Sequence, residues 1–337
     1  MEKSEGIKVF SPISGTVLGV RDMIYVNGKY PSIVIENDFE ENSINSNTLT
    51  NRIYDYDKES FLRVLKNSGI CRCNTYTYEK FNKDIVNLLI NGVENEPYFG
   101  RKYFILKENV SDILETVDLI RELFNIKKTV IAIKNVDNDI VSAFMNELGS
   151  YPDIELRLVP SEYPNGMDEH LQVVTELNDA TILDVEELLN IYRALKRKDI
   201  PNEKIITITG DAIDNQSVYK VKKGTLLSEI FEAKFNFTYK SVEVYLNGLM
   251  TGKIIDTLQY VIDDDFDGIF ITKKKDHTEK ECLNCGMCYK NCPKGLNPKY
   301  VRDHEGKVKS QYKNSCIKCG LCDYVCPSNR KLSKFMR

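Results

Sequence analysis

Apolar and polar positions alternate with the short period of β-strands over the opening of the chain and then change rhythm twice. Ile7–Phe10, Gly15–Val20, Met23–Val26 and Ser32–Ile35 read as short strands, with Pro12, Asn27-Gly28 and Pro31 at turn positions between them. A polar Asn- and Ser-rich passage from Glu40 to Asn51 reads as a loop. From Asp57 the spacing becomes helical, with Phe61, Leu62, Val64 and Leu65 on one side and Ser68-Gly69 as the stop. Ile85–Ile90 is then an apolar run broken only by Asn87, the pattern of a parallel strand covered on both faces.

Strand and helix alternate for the next hundred residues. Ser111 is expected to cap a helix carrying Ile113, Leu114, Val117, Ile120, Leu123 and Phe124. Thr129–Ile133 and Ile154–Val159 read as further strands, Asn138–Leu148 and Leu183–Leu195 as further helices. That alternation predicts a parallel α/β sheet. Near Lys204 the rhythm changes again. Ile205–Thr209, a Gly210-Asp211 turn, Val218–Val221 and a helix over Leu226–Phe231 form a small β-β-α unit, which Val242–Leu246 and Gly268–Thr272 complete as strands.

The last fifty-odd residues follow a pattern of cysteines instead. Eight of the ten cysteines fall into two copies of C-x2-C-x2-C-x3-C-P: Cys282, Cys285, Cys288, Cys292 before Pro293, and Cys316, Cys319, Cys322, Cys326 before Pro327. A [4Fe–4S] cube needs four thiolates, and three come from one tight loop when two residues separate each pair. In a two-cluster module the last cysteine of each run ligates the other cluster. The expected ligand sets are therefore Cys282, Cys285, Cys288 and Cys326, and Cys316, Cys319, Cys322 and Cys292. Gly286 and Gly320, each following a second cysteine, suit a backbone that must curl around sulfur. A zinc ribbon takes four ligands in two pairs and gives no reason for the extra cysteines. A disulfide framework belongs to secreted domains, and the opening Met1-Glu-Lys-Ser-Glu has no apolar h-region, so none is expected.

Composition narrows the picture further. At 337 residues the chain exceeds what one core usually supports, about 250–300 residues, which points to several domains. The net charge of −4 is interspersed, against a nucleic-acid surface. The densest basic run, Lys273–Lys275, reads as a solvated linker, with steering of an acidic redox partner as its second reading. No run approaches the ~20 apolar residues of a membrane span, so a cytoplasmic protein, at most peripheral to a membrane complex, is expected. His170, His277 and His304 form no metal or hydrolase motif. Cys71 and Cys73 form a C-x-C pair with two readings, a redox couple or inert, partly buried thiols.

The order of parts, with Asn91-Gly92-Val93-Glu94-Asn95-Glu96-Pro97-Tyr98, Tyr163-Pro164-Asn165-Gly166, Thr207-Ile208-Thr209-Gly210-Asp211 and the tandem cysteine runs, resembles the RnfC family. These are electron-input subunits related to the flavin subunit of complex I, some of them working apart from a membrane complex. The resemblance implies a multidomain α/β chain: a β barrel-sandwich module (1–50), an α/β domain related to the FMN/NADH-binding domain (51–200), a β-grasp-like domain (201–272) and a two-cluster ferredoxin-type domain (276–337). It also implies FMN and NADH, held by a glycine-rich loop and a helix N-terminus. Here that loop is replaced by Ser68–Lys80, nearly without glycine, and Arg72 and Tyr76 fill space the cofactor needs.

The expected function is relay of single electrons through two [4Fe–4S] clusters between a low-potential donor and a redox partner: a reductase, a flavoprotein or an Rnf-type membrane complex. Such a chain is an oxidoreductase component with no acid, base or nucleophile of its own. The alternative is an FMN-containing NADH dehydrogenase with Glu94 and Glu96 in the nucleotide cleft. A scaffold whose clusters only stabilise the fold is a third reading.

Overall fold

The computed structural model describes residues 10–40, 42, 53–73, 75–196, 200–305 and 307–336. Ile7 to Val9, part of the first expected strand, lie outside the described residues.

The N-terminal part is one long hairpin, β1 (Gly15–Tyr25) and β2 (Gly28–Asn37), paired from Gly15↔Asn37 to Tyr25↔Gly28 with a register shift between Val17 and Gly19. The two strands expected over Gly15–Val20 and Met23–Val26 are thus one. Arg21 and Asp22 pair with Ser32 and Pro31 instead of turning, and Pro31 is accommodated because a two-stranded ribbon has only edges. The turn falls one residue earlier than the expected Asn27-Gly28, at Val26-Asn27, with Gly28 already paired to Tyr25 as the first residue of β2. It rests on the molecule beyond: Asn27 Nδ2 donates to Asp265 Oδ2 at 2.6 Å, and Lys253 Nζ to the Val26 carbonyl at 2.8 Å.

Helix α1 (Lys58–Ser68) starts and stops where its sequence says. Asp57 and Ser60 form a capping box, and Gly69 closes the helix in the left-handed region at φ 65°. A miniature hairpin follows, β3 (Cys71–Arg72) and β4 (Thr75–Tyr76), leading to the parallel sheet of β5 (Asn87–Asn91), β6 (Lys128–Lys134), β7 (Ile154–Val159) and β8 (Thr181–Asp184), in order β7-β6-β5-β8. Leu88, Leu89 and Ile90 are wholly buried, as a strand covered on both faces must be. One face carries α1, α2 (Arg101–Glu108), α3 (Val110–Leu123), α4 (Asn138–Glu147) and α6 (Val185–Lys196); the other packs Leu89, Val130, Ala132 and Val159 against Leu171 of α5 (Asp168–Val174).

Two expectations in this region need correction. Ser111 lies within α3 and donates to Glu147 Oε2 at 2.7 Å, while Asn109 occupies the break between α2 and α3. The run from Leu183 is a strand end first: β8 closes at Asp184, whose carboxylate accepts from the Glu186 N–H at 2.9 Å and whose own N–H donates to Glu187 Oε2 at 2.9 Å, so the helix begins at Val185.

A second, five-stranded sheet follows, from β9 (Glu203–Thr209), β10 (Ser217–Lys222), β11 (Val242–Leu246), β12 (Lys253–Ile255) and β13 (Gly268–Lys273), in order β10-β9-β13-β11-β12. Strands β9 and β13 pair in parallel while their neighbours run antiparallel, and α7 (Leu227–Lys234) packs Leu227 and Phe231 into the core of this unit. The cysteine-rich end carries short helices: α8 (Met287–Lys290), α9 (Pro298–Asp303), α10 (Ser310–Asn314) and α11 (Leu321–Tyr324). Among the described residues no helix is long and apolar enough to cross a membrane.

Candidate functional site

The two cysteine runs fold alike because their residues impose the same turns. Asn284 and Lys318, each before a second cysteine, adopt φ 52° and 56°, and Gly286 and Gly320 both adopt φ 72°. Each run then enters one helical turn, α8 or α11, that ends just before its last cysteine. That cysteine and its proline lead away from the loop through a residue with positive φ, Gly295 at 62° and Asn329 at 53°.

The exits bring each last cysteine to the other run. Cys292 lines one recess with Cys316, Cys319 and Cys322, walled by Leu296, Ile317 and Met336. Cys326 lies within electrostatic reach of Cys282, Cys285 and Cys288. Backbone amides already point at sulfur: the Leu296 N–H donates to Cys292 Sγ at 3.3 Å and the Lys318 N–H to Cys316 Sγ at 3.4 Å. Such bonds stabilise thiolate and cluster charge. Among the described residues no group of three or more His, Cys, Asp or Glu is placed to hold a single metal ion. The four cysteines lining that recess are the donor type that an iron–sulfur cluster takes.

The second run is built into the body of the molecule. A Cβ on Gly320 would stand 2.1 Å from the Met250 carbonyl oxygen, so only glycine permits this approach. The Tyr163 hydroxyl donates to the Cys319 carbonyl. The β11–β12 turn bearing Met250 is in turn fastened by Glu96, whose carboxylate accepts from the Met250 and Thr251 N–H groups, both at 2.9 Å.

At the carboxyl ends of β5 and β8, where open α/β sheets bind ligands, the crevice is filled by charge. Arg72 reaches in from β3 to Asp184 Oδ2 at 3.2 Å and Asp267 Oδ2 at 3.5 Å. Arg101 meets Asp184 at 3.2 Å, Glu186 at 2.9 Å and Asp267 at 3.1 Å, Lys102 meets Asp184 at 3.0 Å, and Lys204 meets Glu186 at 2.7 Å. Burial alone would raise the carboxyl of Asp184, but the surrounding Arg101, Arg72 and Lys102 hold it well below the usual range, and Asp267 is depressed by Arg101, Arg72 and Lys204. Neither Asp184 nor Asp267 stands out in the sequence. No motif marks them, and Asp267 lies far along the chain from its partners.

Glu94 and Glu96 do not line an open cleft. Glu94 Oε1 accepts from the Lys102 N–H at 2.5 Å and the Tyr103 N–H at 3.3 Å, so its carboxylate satisfies the first-turn amides of α2. Burial pushes the acids of both glutamates up, partly offset by Arg101 and Lys102 at Glu94 and by the hydrogen bonds from the Thr251 and Met250 groups at Glu96.

FMN is a poor fit to this arrangement. The recess beside Arg72, lined by Cys71, Glu186, Glu187, Asn190, Lys204 and Asp264, leaves room for about one water molecule rather than for an isoalloxazine. The nearby helix N-terminus already holds the Glu94 carboxylate. Cys71 donates to Asp264 Oδ2 at 3.4 Å, and burial followed by that carboxylate keeps its thiol protonated. This favours the inert reading of the C-x-C pair.

Residues 73–182 match the family described as the Nuo51 FMN-binding domain, Complex1_51K. The C component of the ion-translocating oxidoreductase complex of Haemophilus influenzae is 25% identical over 93% of this chain and 52% of its own length. The corresponding C component of the proton-translocating ferredoxin:NAD(+) oxidoreductase complex of Clostridium ljungdahlii is 24% identical over 86% of this chain and 68% of its own. The chain spans about half the length of the Haemophilus relatives. In fold, an NAD+-reducing [NiFe]-hydrogenase chain is similar over 81% of this chain and 54% of its own, with a TM-score of 0.56 at 12% identity. The chain is thus similar to the RnfC proteins over most of its length, and residues 73–182 are similar to the FMN-binding domain described as Nuo51.

Proposed function

We propose that the chain relays single electrons through two [4Fe–4S] clusters and holds no flavin of its own. Cys282, Cys285, Cys288 and Cys326 would hold one cluster, and Cys316, Cys319, Cys322 and Cys292 the other. The observation that carries this reading is the recess in which Cys292 meets three cysteines of the other run. The clusters supply one-electron chemistry. The protein supplies N–H groups aimed at sulfur and walls such as Leu296 and Met336 that limit water, which together set the potentials.

In this reading the 1–50, 51–200, 201–272 and 276–337 segments are a barrel-sandwich-like module, a former nucleotide-binding domain, a β-grasp-like spacer and a ferredoxin-type domain. The parallel β9–β13 pair inside an otherwise antiparallel sheet supports the third of these. The names of the relatives suggest a subunit docked on an ion-translocating oxidoreductase complex, with a ferredoxin-type donor on one side.

The family match over residues 73–182 supports a second reading, an FMN-containing NADH dehydrogenase. The match begins one residue after Arg72, so it leaves out the residue that fills the crevice. Anaerobic purification with iron, sulfide and flavin analysis separates the two. About eight irons and eight sulfides per chain without FMN are expected. One FMN per chain, with oxidation of NADH, would replace the first reading by the second, and zinc without sulfide would end both.

A further inference from the structure

The two copies of the cysteine motif share their spacing and differ in what covers them. In the second copy Ile317 is 7% exposed and Cys319 8%. The matching positions of the first copy are open: Leu283 is 69% exposed, and Cys285 also faces solvent. The cover over the second copy has two arms that come down on adjacent residues. Tyr163 donates its hydroxyl to the Cys319 carbonyl, and the Met250 carbonyl lies so close to Gly320 that no Cβ fits between them.

Both arms are held by the loop that leaves β5. Asn91 Nδ2 donates to the Gly166 carbonyl at 2.8 Å, and a Cβ on Gly166 would strike the Glu94 carbonyl oxygen, so the 163–166 turn is pressed onto this loop. Glu96 holds the other arm. Buried at 5% exposure, its carboxylate accepts from the Met250 and Thr251 N–H groups and from the Thr251 hydroxyl, three donors of one turn. Gly248, at φ 106°, leaves room for it, since a Cβ there would collide with Glu96 Cγ.

Reduction adds a negative charge to a group already anionic through its thiolates, and water stabilises that charge better than apolar walls do. Keeping water away therefore lowers the potential. On the relay reading above, we propose that Glu96 is a positioning residue of the second-run cluster: by clasping the Met250 turn over Gly320 it keeps water from that cluster and holds its potential down. Fixed charges act on the two potentials as well. Asp323 Oδ1 stands 3.7 Å from Cys322 Sγ, Lys294 and Lys318 line the same recess, and Lys299 is within electrostatic reach of Cys282 and Cys288. These charges are common to the parent and to every variant of the clasp.

The test is a potentiometric titration of the full-length protein, with both clusters in place, followed by EPR. The wave that Cys285→Ala alters belongs to the first run. Glu96→Ala removes the clasp together with its charge, and Gly248→Ala breaks it from the turn side while leaving the carboxylate. Thr251→Val deletes one hydroxyl and keeps both N–H bonds. Glu96→Ala and Gly248→Ala should each raise the reduced-to-oxidised ratio of the second-run cluster about tenfold at a fixed potential, an upward shift of about 59 mV. Thr251→Val should raise that ratio about threefold, and the first-run ratio should stay within about twofold throughout. A shift in Glu96→Ala that neither Gly248→Ala nor Thr251→Val shares would mean that charge alone acts and would overturn the clasp, as would equal shifts of both waves or of neither. If the two alanine variants lose the second cluster, Thr251→Val decides alone. A parent without two one-electron waves would instead remove the relay reading, and the role of Glu96 with it.

Discussion

Arg72 reaches into the crevice at the strand ends of the parallel sheet, and its guanidinium, joined to Asp184 and Asp267, closes that crevice from within. That residues 68–80 carry almost no glycine is legible in the sequence; that Arg72 finds two carboxylates is not, because ion pairs across 112 and 195 residues leave no periodic trace. The cysteines are the opposite case. Their spacing fixes the loop, and the loop fixes where the last thiol points. Cys292→Ser should therefore damage the cluster built on Cys316, Cys319 and Cys322, and Cys326→Ser the one built on Cys282, Cys285 and Cys288. EPR of the reduced variants, with the two signals told apart by their potentials, reads this directly. Loss of the cluster of the substituted residue's own run would refute the exchange of ligands.

At the scale of elements, what is readable depends on whether local chemistry or distant contact decides the outcome. Helix α1 announces itself through Asp57, Ser60 and Gly69, all within its own few turns. Helix α2 escapes a sequence reading because its buried side includes Arg101 and Lys102, held there by Asp184 and Glu186 rather than by apolar packing. The four-residue strand β8 escapes it because its apolar residues run straight into those of α6. The two cysteine loops offer a matched comparison. Both glycines require the left-handed region, so alanine costs about 1–2 kcal/mol at either, but only at Gly320 does the new Cβ also strike backbone, 2.1 Å from the Met250 oxygen. Gly286→Ala should leave both clusters assembled at full iron content. Gly320→Ala should lose iron from the second run and loosen the Tyr163 contact, raising amide hydrogen exchange over 247–252 and 316–322. Equal iron loss in the two variants would show that the close approach to Met250 has no consequence.

Across the whole molecule, the buried charges join units that the sequence presents as separate. Arg72, Arg101, Asp184 and Glu186 come from the parallel-sheet unit, Lys204 and Asp267 from the five-stranded one, and together they form a lock between the two. Buried pairs of this kind add little net stability over apolar packing, yet removing one partner is costly because it strands the others. Asp267→Asn should therefore lower stability by about 3 kcal/mol near neutral pH. The pH dependence follows from the depressed acids of Asp184 and Asp267. A carboxylate whose folded pKa lies below its unfolded value of about 3.9 stabilises the fold above that value and loses its contribution as pH falls towards the folded one. Each such group lost in common removes up to about 1.4 kcal/mol per pH unit. Asp263 acts with the opposite sign: burial and Asp265 push it up to about 6, so the folded state takes up a proton early and gains stability as pH falls through that value. Comparing the parent with Asp267→Asn at each pH cancels most of that second effect. The gap between their urea midpoints, followed by far-ultraviolet circular dichroism, should be widest at pH 6–7 and begin to narrow below about pH 4, where the unfolded chain takes up a proton at residue 267 that the folded state still refuses. A gap that stays constant from pH 6 to 3 would mean that Asp267 is not held ionised by the lock, and that the two units are joined by their apolar contacts alone.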